Sequence, residues 1–262
     1  MIQNSFQPYF DNFHQKKRLS QVFLSDYSAI AEVFDDLDLL GKTVLEIGAG
    51  KGAITKVLSK KAKKVIALEI DKELCTILKG KTKGLKNVEI ICADAMQASL
   101  DYEVIIGFLP YHISSPLLFK ILNSNFKEAI LCVQKEFALR LVSEINSKDY
   151  SKLSVMAQNL ADIDYLQTVP ASAFSPVPKV DSALVYLVKN PKGKLDGNVV
   201  SALFQHKNQS IKKALSHSGK MLGKTKLQLL EFCKIIQSSK RVRTLSLLDL
   251  HEICLKYDEF FS

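Results

Sequence analysis

No stretch of the sequence approaches about 18 uncharged apolar residues, so no membrane-spanning helix is expected. The first residues, Met1-Ile2-Gln3-Asn4-Ser5-Phe6, lack the basic start and apolar run of an export signal. Cysteine is sparse: positions 75, 92, 132, 233 and 254, odd in number and widely spaced. That spacing argues against a metal site or a disulfide framework. It predicts reduced core residues in a cytoplasmic protein. No Gly-Lys-Ser or Gly-Lys-Thr ends a glycine loop, which disfavours a phosphate-cradling NTPase. Neither a Ser-His-Asp set nor a metal-ligand spacing is visible, so no protein nucleophile and no metal are expected. Internal repeats and low-complexity segments are absent as well.

What is present starts with size and charge. A chain of 262 residues, 47% hydrophobic, suits a large domain with a small one and can fill a core. The formal net charge is +9 and unevenly placed. Residues 189–262 hold 14 Lys and Arg against 6 Asp and Glu, whereas residues 1–188 hold 22 against 21. A basic field of that kind attracts polyanions such as nucleic acid, although a lysine-rich solvated surface gives the same count.

The most informative stretch is Val44-Leu45-Glu46-Ile47-Gly48-Ala49-Gly50-Lys51-Gly52, followed by a helix-like run from Ala53 to Leu58. It reads as strand, tight loop, helix. Its glycines permit close approach of a ligand to bare main chain at the helix start. About twenty residues on, Val65-Ile66-Ala67-Leu68 ends in Glu69, an acid placed to take two ribose hydroxyls. A nucleoside cofactor is one reading; an α/β loop without that use is the other.

Residues 1–18 read as a flexible N-terminal arm with aromatics and the basic run Lys16-Lys17-Arg18. Asp26 or Ser25 is placed to cap a helix from Tyr27 to Phe34, and Asp71 one through Leu78. Further strands are expected at 88–92, 104–106 and 129–133, and an antiparallel pair at 163–169 and 182–188. Helices are expected at 134–145 and 151–160. Asp94 lies just past a strand end, on the edge where open parallel sheets bind ligands, or else caps the next helix. The loop Gly107-Phe108-Leu109-Pro110-Tyr111-His112 puts an aromatic face at the same edge, and Pro116 can open the helix after it. Phe174 to Asp181, with two prolines, reads as a rigid loop rather than a strand. A linker at 191–194 precedes four candidate helices, 198–204, 209–215, 224–237 and 247–257.

The sequence resembles the adenine N6,N6-dimethyltransferases of small-subunit ribosomal RNA over about Leu19 to Leu215. The matching pieces are 19–24, 46–53, 69–71, 94–95 and 109–114, then 134–136, 140–141, 150–154 and 174–182. The resemblance implies an α/β fold, the seven-strand S-adenosylmethionine-dependent methyltransferase sheet at 19–190, with a small basic helical RNA-binding domain at 191–262. It implies S-adenosylmethionine as cofactor and no metal. Gln21 and Leu24 would line the cofactor pocket, and Glu46, Gly48 and Gly50 would hold the methionine part and the turn. Glu69 would take the ribose hydroxyls, Ile70 would pack on the adenine, and Asp94 would accept from its amino group. On the target side the resemblance implies catalytic roles for Phe108, Leu109, Pro110 and Tyr111, and it puts Gly107 among the cofactor-binding residues. Tyr111 and Phe174 would stack on the target base. Lys207, Lys212 and Lys213 would contact RNA. The implied substrate is two adjacent adenosines near the 3′ end of small-subunit rRNA, within a pre-ribosomal particle. A cytoplasmic monomer without an obligate protein partner is implied too.

The motif departs from the family at one important position. Phe108 stands where the family has an Asn whose carbonyl accepts from the target amino group, and Phe accepts nothing. Retained activity through the backbone carbonyls of Gly107 and Leu109 is the favoured expectation. A slowed or singly methylating enzyme is a second. An RNA-binding assembly factor with weak or absent catalysis is the alternative function. A smaller departure is Ser20-Gln21-Val22-Phe23 in place of Gly-Gln-Asn-Phe. His112 as a general base is disfavoured, because the proton leaves easily once the nitrogen is alkylated.

Overall fold

The structure is a computed structural model that describes residues 22–262. The expected arm at 1–18 and Gln21 lie outside the described residues. In chain order the strands are β1 (Phe23–Leu24), β2 (Thr43–Ile47), β3 (Lys64–Glu69), β4 (Val88–Cys92), β5 (Val104–Phe108), β6 (Glu128–Gln134), β7 (Ala161–Val169), β8 (Phe174–Ser175) and β9 (Ser182–Lys189). The helices are α1 (Ala31–Asp35), α2 (Ala53–Ser59), α3 (Lys72–Lys81), α4 (Ser114–Leu122), α5 (Lys135–Leu141), α6 (Lys152–Gln158), α7 (Gly197–Phe204), α8 (Ile211–His217), α9 (Gly219–Leu222), α10 (Lys226–Ile236) and α11 (Leu247–Phe261).

Seven strands form one sheet in the order β4-β3-β2-β5-β6-β9-β7. The pairs among β4, β3, β2, β5 and β6 are parallel, and β9 runs antiparallel to β6. Strands covered on both faces read as unbroken apolar runs rather than alternations. Accordingly β2 and β5 carry Val44, Leu45, Ile47, Val104, Ile105 and Ile106, all buried. Parallel pairing brings the carboxyl ends of β2, β3, β4 and β5 to one edge, where the glycine turn, Glu69, Asp94 and the Phe108 loop all emerge. Asp71 caps α3 by accepting from the Glu73 N–H at 2.9 Å, as its position predicts.

Several expectations are corrected. Phe174–Ser175 is not only loop: it forms β8 and pairs antiparallel with β1, Leu24 opposite Phe174. Tyr27 to Phe34 is a single-turn 3-10 segment, Tyr27–Ala29, followed by the short α1. The helix expected at 134–145 stops at Leu141. There Gln158 Nε2 takes the carbonyls of Leu141 and Ser143, and Ser143 Oγ bonds back to the Leu139 carbonyl. Side chains thus satisfy the groups that another turn would have used. Cys75 and Cys92 are joined in a disulfide, because α3 lies against β4 and brings their Cα atoms within 6.0 Å. Cys132, Cys233 and Cys254 are free thiols, the first and last buried.

The chain divides into two compact units. One takes the residues up to Ala138 together with Ile163–Lys189; the other takes Leu139–Asp162 and Asn190–Ser262. The expected crossing near residue 190 is therefore one of three, and the stretch 139–162 belongs with the helical unit. That unit has its own core, centred on Tyr150, Leu203, Phe204, Phe232 and Leu250. Tyr150 anchors it by donating to the Leu245 carbonyl at 2.9 Å.

Candidate active site

The turn after β2 is held open by glycine. Gly48 and Gly50 have φ of +76° and +55°, in the left-handed region. A Cβ at Gly48 would lie 3.2 Å from the Phe108 carbonyl oxygen, and one at Gly50 would lie 3.3 Å from the Phe23 ring. Glu69, at the end of β3, closes the turn from the neighbouring strand. One of its carboxylate oxygens accepts the Gly50 N–H at 2.8 Å, and the other accepts the Asp71 N–H at 2.9 Å. Burial raises its pKa, and those backbone N–H groups hold the rise down.

Glu46 lies deeper, 2% exposed, and takes a 2.6 Å hydrogen bond from the Thr55 hydroxyl. Burial pushes its carboxyl up to about 8, with the neighbouring Glu69 charge adding to the rise. It lines a small cavity of about 50 Å³ with Leu24, Gly48, Gly50, Lys51 and Phe108. An adjoining cleft of about 140 Å³ is lined by Gly48, Gly50, Glu69, Ile70 and Asp94, at or just past the ends of β2, β3 and β4. Its second set of lining residues is Leu109, Pro110 and Tyr111, after β5, and Phe174 of β8. Asp94 accepts the Met96 N–H on one oxygen, at 2.8 Å. Ile70 is 48% exposed, an apolar side chain left uncovered at the cleft wall. Gly107 lines neither cavity; it packs between Ile47 and Leu131.

On the target side, the Leu109 N–H donates to the Cys132 carbonyl, continuing the β5–β6 ladder one residue past the strand. The Pro110 carbonyl accepts from both the Ile113 N–H and the Ser114 hydroxyl, which fixes the turn. The Tyr111 hydroxyl is 2.8 Å from Ser182 Oγ, and burial raises the phenol pKa. Phe108 turns its ring toward Phe34, with ring centres 6.4 Å apart, and borders both cavities. His112 is exposed and lines neither.

The residues at the cleft without a role assigned from sequence include Phe23, Cys132 and Ser182. Phe23 and Ser182 stand inside quoted motif stretches, so the signal was there without a role attached. Cys132 carried no signal beyond its apolar surroundings.

The basic residues of the helical unit separate into two kinds. Lys207 donates its ammonium to the carbonyls of Lys148 and Tyr150, at 2.7 and 3.0 Å. Lys212 and Lys213 are exposed on α8.

A parallel sheet with a glycine turn after one inner strand, an acid ending the next, and a reversed strand set between the last parallel strand and the edge strand is the architecture of S-adenosylmethionine-dependent methyltransferases. The family model for ribosomal RNA adenine dimethylase matches residues 12–259. The chain belongs to that family. It is 40% identical over 260 residues to the "Probable ribosomal RNA small subunit methyltransferase A" of Methanococcus aeolicus, covering 92% of this chain and 95% of that one. Among solved structures it is similar to a dimethyladenosine transferase from Plasmodium falciparum, with a TM-score of 0.75, 25% identity and coverage of 89% and 95%. It is also similar to the 23S rRNA methyltransferase ErmE, with a TM-score of 0.65, 26% identity and coverage of 90% and 99%.

The residues fit S-adenosylmethionine. The glycine cradle is one a Cβ would fill, a fixed carboxylate stands beside it, and an exposed apolar wall lies next to an acid with one oxygen already engaged. Among the described residues, no group of three or more His, Cys, Asp or Glu is placed to hold a metal ion.

Proposed function

We propose that this methyltransferase dimethylates N6 of two adjacent adenosines near the 3′ end of small-subunit rRNA. It acts as a cytoplasmic monomer on a pre-ribosomal particle. The observation that carries the reading is one cleft lined by two unlike sets of residues, Gly48, Gly50, Glu69 and Asp94 together with Leu109, Tyr111 and Phe174. When bound, S-adenosylmethionine supplies an electrophilic methyl group.

The chain's own residues bind, orient and accept. Glu69 keeps lone pairs beyond its two backbone bonds, and these take the ribose hydroxyls. Asp94 offers its second oxygen to the cofactor's adenine amino group, against Ile70. Tyr111 and Phe174 offer rings to a target base swung out of its stack, each returning about 1–3 kcal/mol of the unstacking cost. The N6 lone pair is delocalised into the purine, so the reaction depends on alignment and on polar acceptors as charge develops. With Phe108 carrying no acceptor, the Leu109 carbonyl at the end of the ladder takes that task.

Phe108 also favours a second reading, an RNA-binding assembly factor with little catalysis. Labelled-methyl transfer to immature small-subunit particles separates the two. Incorporation at adjacent adenosines supports the enzyme. Tight binding of S-adenosylhomocysteine and particles without incorporation sinks it and leaves the assembly factor.

A further inference from the structure

We infer that Ser182 is a positioning residue for the target base: its hydroxyl holds the Tyr111 ring in the plane on which the base stacks. The inference rests on the proposed adenine chemistry, and the geometry behind it is independent of that chemistry.

The turn that carries Tyr111 is fixed through the Pro110 carbonyl, but that leaves the tyrosine side chain to be placed by its own contacts. Tyr111 opens a single 3-10 turn, Tyr111–Ile113, directly after Pro110, and is only half-buried. A tyrosine there has rotamer freedom, and a stacking platform works only when its plane is fixed before the base arrives. The far end of the ring is anchored by the 2.8 Å contact between its hydroxyl and Ser182 Oγ.

Ser182 is built to be immobile. It is 1% exposed and opens β9, opposite Gln134 at the end of β6. The residue before it is tied on both sides: the Asp181 carbonyl accepts the Lys135 N–H, and its carboxylate accepts the Ala171 N–H, each at 3.0 Å. Burial raises the pKa of the Cys132 thiol, and the same Ser182 side chain holds the rise down, which puts the two side chains side by side at the cleft. A buried serine with a clamped backbone transmits the position of the sheet to the phenol. It also stands at the far end of the 174–182 segment that begins with Phe174, so one residue ties the loop bearing the second ring to the first ring.

The test compares Ser182→Ala, Tyr111→Phe, the double variant and Ser182→Thr with the unaltered protein. In single-turnover methyl transfer, Ser182→Ala and Tyr111→Phe each fall by about three- to tenfold, the worth of one hydrogen bond. The double variant falls no further than either single one, since both delete the same bond. Ser182→Thr restores the rate, and S-adenosylhomocysteine affinity stays within about twofold throughout, because no cofactor contact is touched. A second readout needs no catalysis: binding of the rRNA hairpin relative to one with an abasic target position. The unaltered protein prefers the intact hairpin by about tenfold or more through stacking, and Ser182→Ala reduces that preference. Additive losses in the double variant, or an unchanged hairpin preference in Ser182→Ala, overturn the assignment. If the unaltered protein transfers no methyl group, the proposed reaction fails, while the hairpin comparison still decides the role of Ser182.

Discussion

The two walls of the cleft are built by different means. Along the turn after β2 and the end of β3, the proposed cofactor side, position is set by main chain: glycines at positive φ, and a carboxylate pinned by two backbone N–H groups. Along the loop after β5, the proposed target side, position is set by side chains on a short turn, with Tyr111 held through one hydroxyl contact and Phe108 offering an apolar ring. Backbone-fixed groups tolerate little change, because altering one leaves buried donors unpaired. A wall made of side chains can be retuned one residue at a time. Phe108 is such a change, and the departure at Ser20-Gln21-Val22 is the smaller one.

Glu69→Ala tests that contrast most severely. It removes the ribose acceptor and strands the Gly50 and Asp71 N–H groups, so S-adenosylhomocysteine affinity measured by calorimetry should fall by about a hundredfold or more. A loss under about threefold would make Glu69 merely architectural.

Tyr111→Ala strikes the other wall. Transfer should drop by roughly ten- to a hundredfold with cofactor affinity nearly unchanged, the signature of a lost stacking partner. Equal losses in both measurements would dissolve the distinction between the walls.

Phe108→Asn sharpens it. Restoring a side-chain acceptor should raise the transfer rate by up to about tenfold. Thermal unfolding should report a cost of about 1–3 kcal/mol, because the ring packed toward Phe34 is lost. An unchanged rate would show that the backbone carbonyl suffices.

Acid–base behaviour separates the walls as well. The folded chain keeps a proton on Glu46 up to about pH 8, whereas the unfolded chain releases it near 4.5. Folding therefore takes up a proton between those values. The contribution is full below pH 4.5 and is lost as pH rises toward 8, with a total of a few kcal/mol. Glu46→Gln should flatten the denaturation midpoint across that window. A slope identical to that of the unaltered protein would contradict the assigned titration.

The smallest effect lies in the helical unit. Lys212→Ala with Lys213→Ala should reduce the salt dependence of RNA binding by about one to two units of log–log slope. Lys207→Ala should leave that slope nearly intact and lower stability by about 1 kcal/mol, since its ammonium serves two carbonyls. The reverse result would return Lys207 to the RNA.

Much of the glycine turn and its Glu69 neighbour is legible in the sequence because the signals are local. Thr43–Ile47 into Gly48 and Gly50, or Glu69 at a strand end, need only neighbours in sequence to be read. What stayed hidden depends on distant partners. The pairing of Phe23–Leu24 with Phe174–Ser175 joins two-residue strands about 150 positions apart, too short for any period to show. Residues 139–162 carry ordinary helical signals, and nothing in them says which core they fill. Lys207 looks like its basic neighbours until the carbonyls of Lys148 and Tyr150 are seen beside it. The Tyr111–Ser182 contact spans 71 residues and belongs to the same class.

The bond between Cys75 and Cys92 staples α3 to the end of β4, so the chain between them forms a covalent ring. The ring's two ends abut residues assigned to the adenosine: Cys75 Sγ lies 3.5 Å from the Glu69 carbonyl oxygen, and Cys92 is two positions before Asp94. Thermal agitation cannot draw those neighbours apart beyond the reach of that ring while the staple holds. In an oxidised sample, protease cuts in this corner should come after cuts elsewhere in the sheet unit, and a reducing agent should advance them.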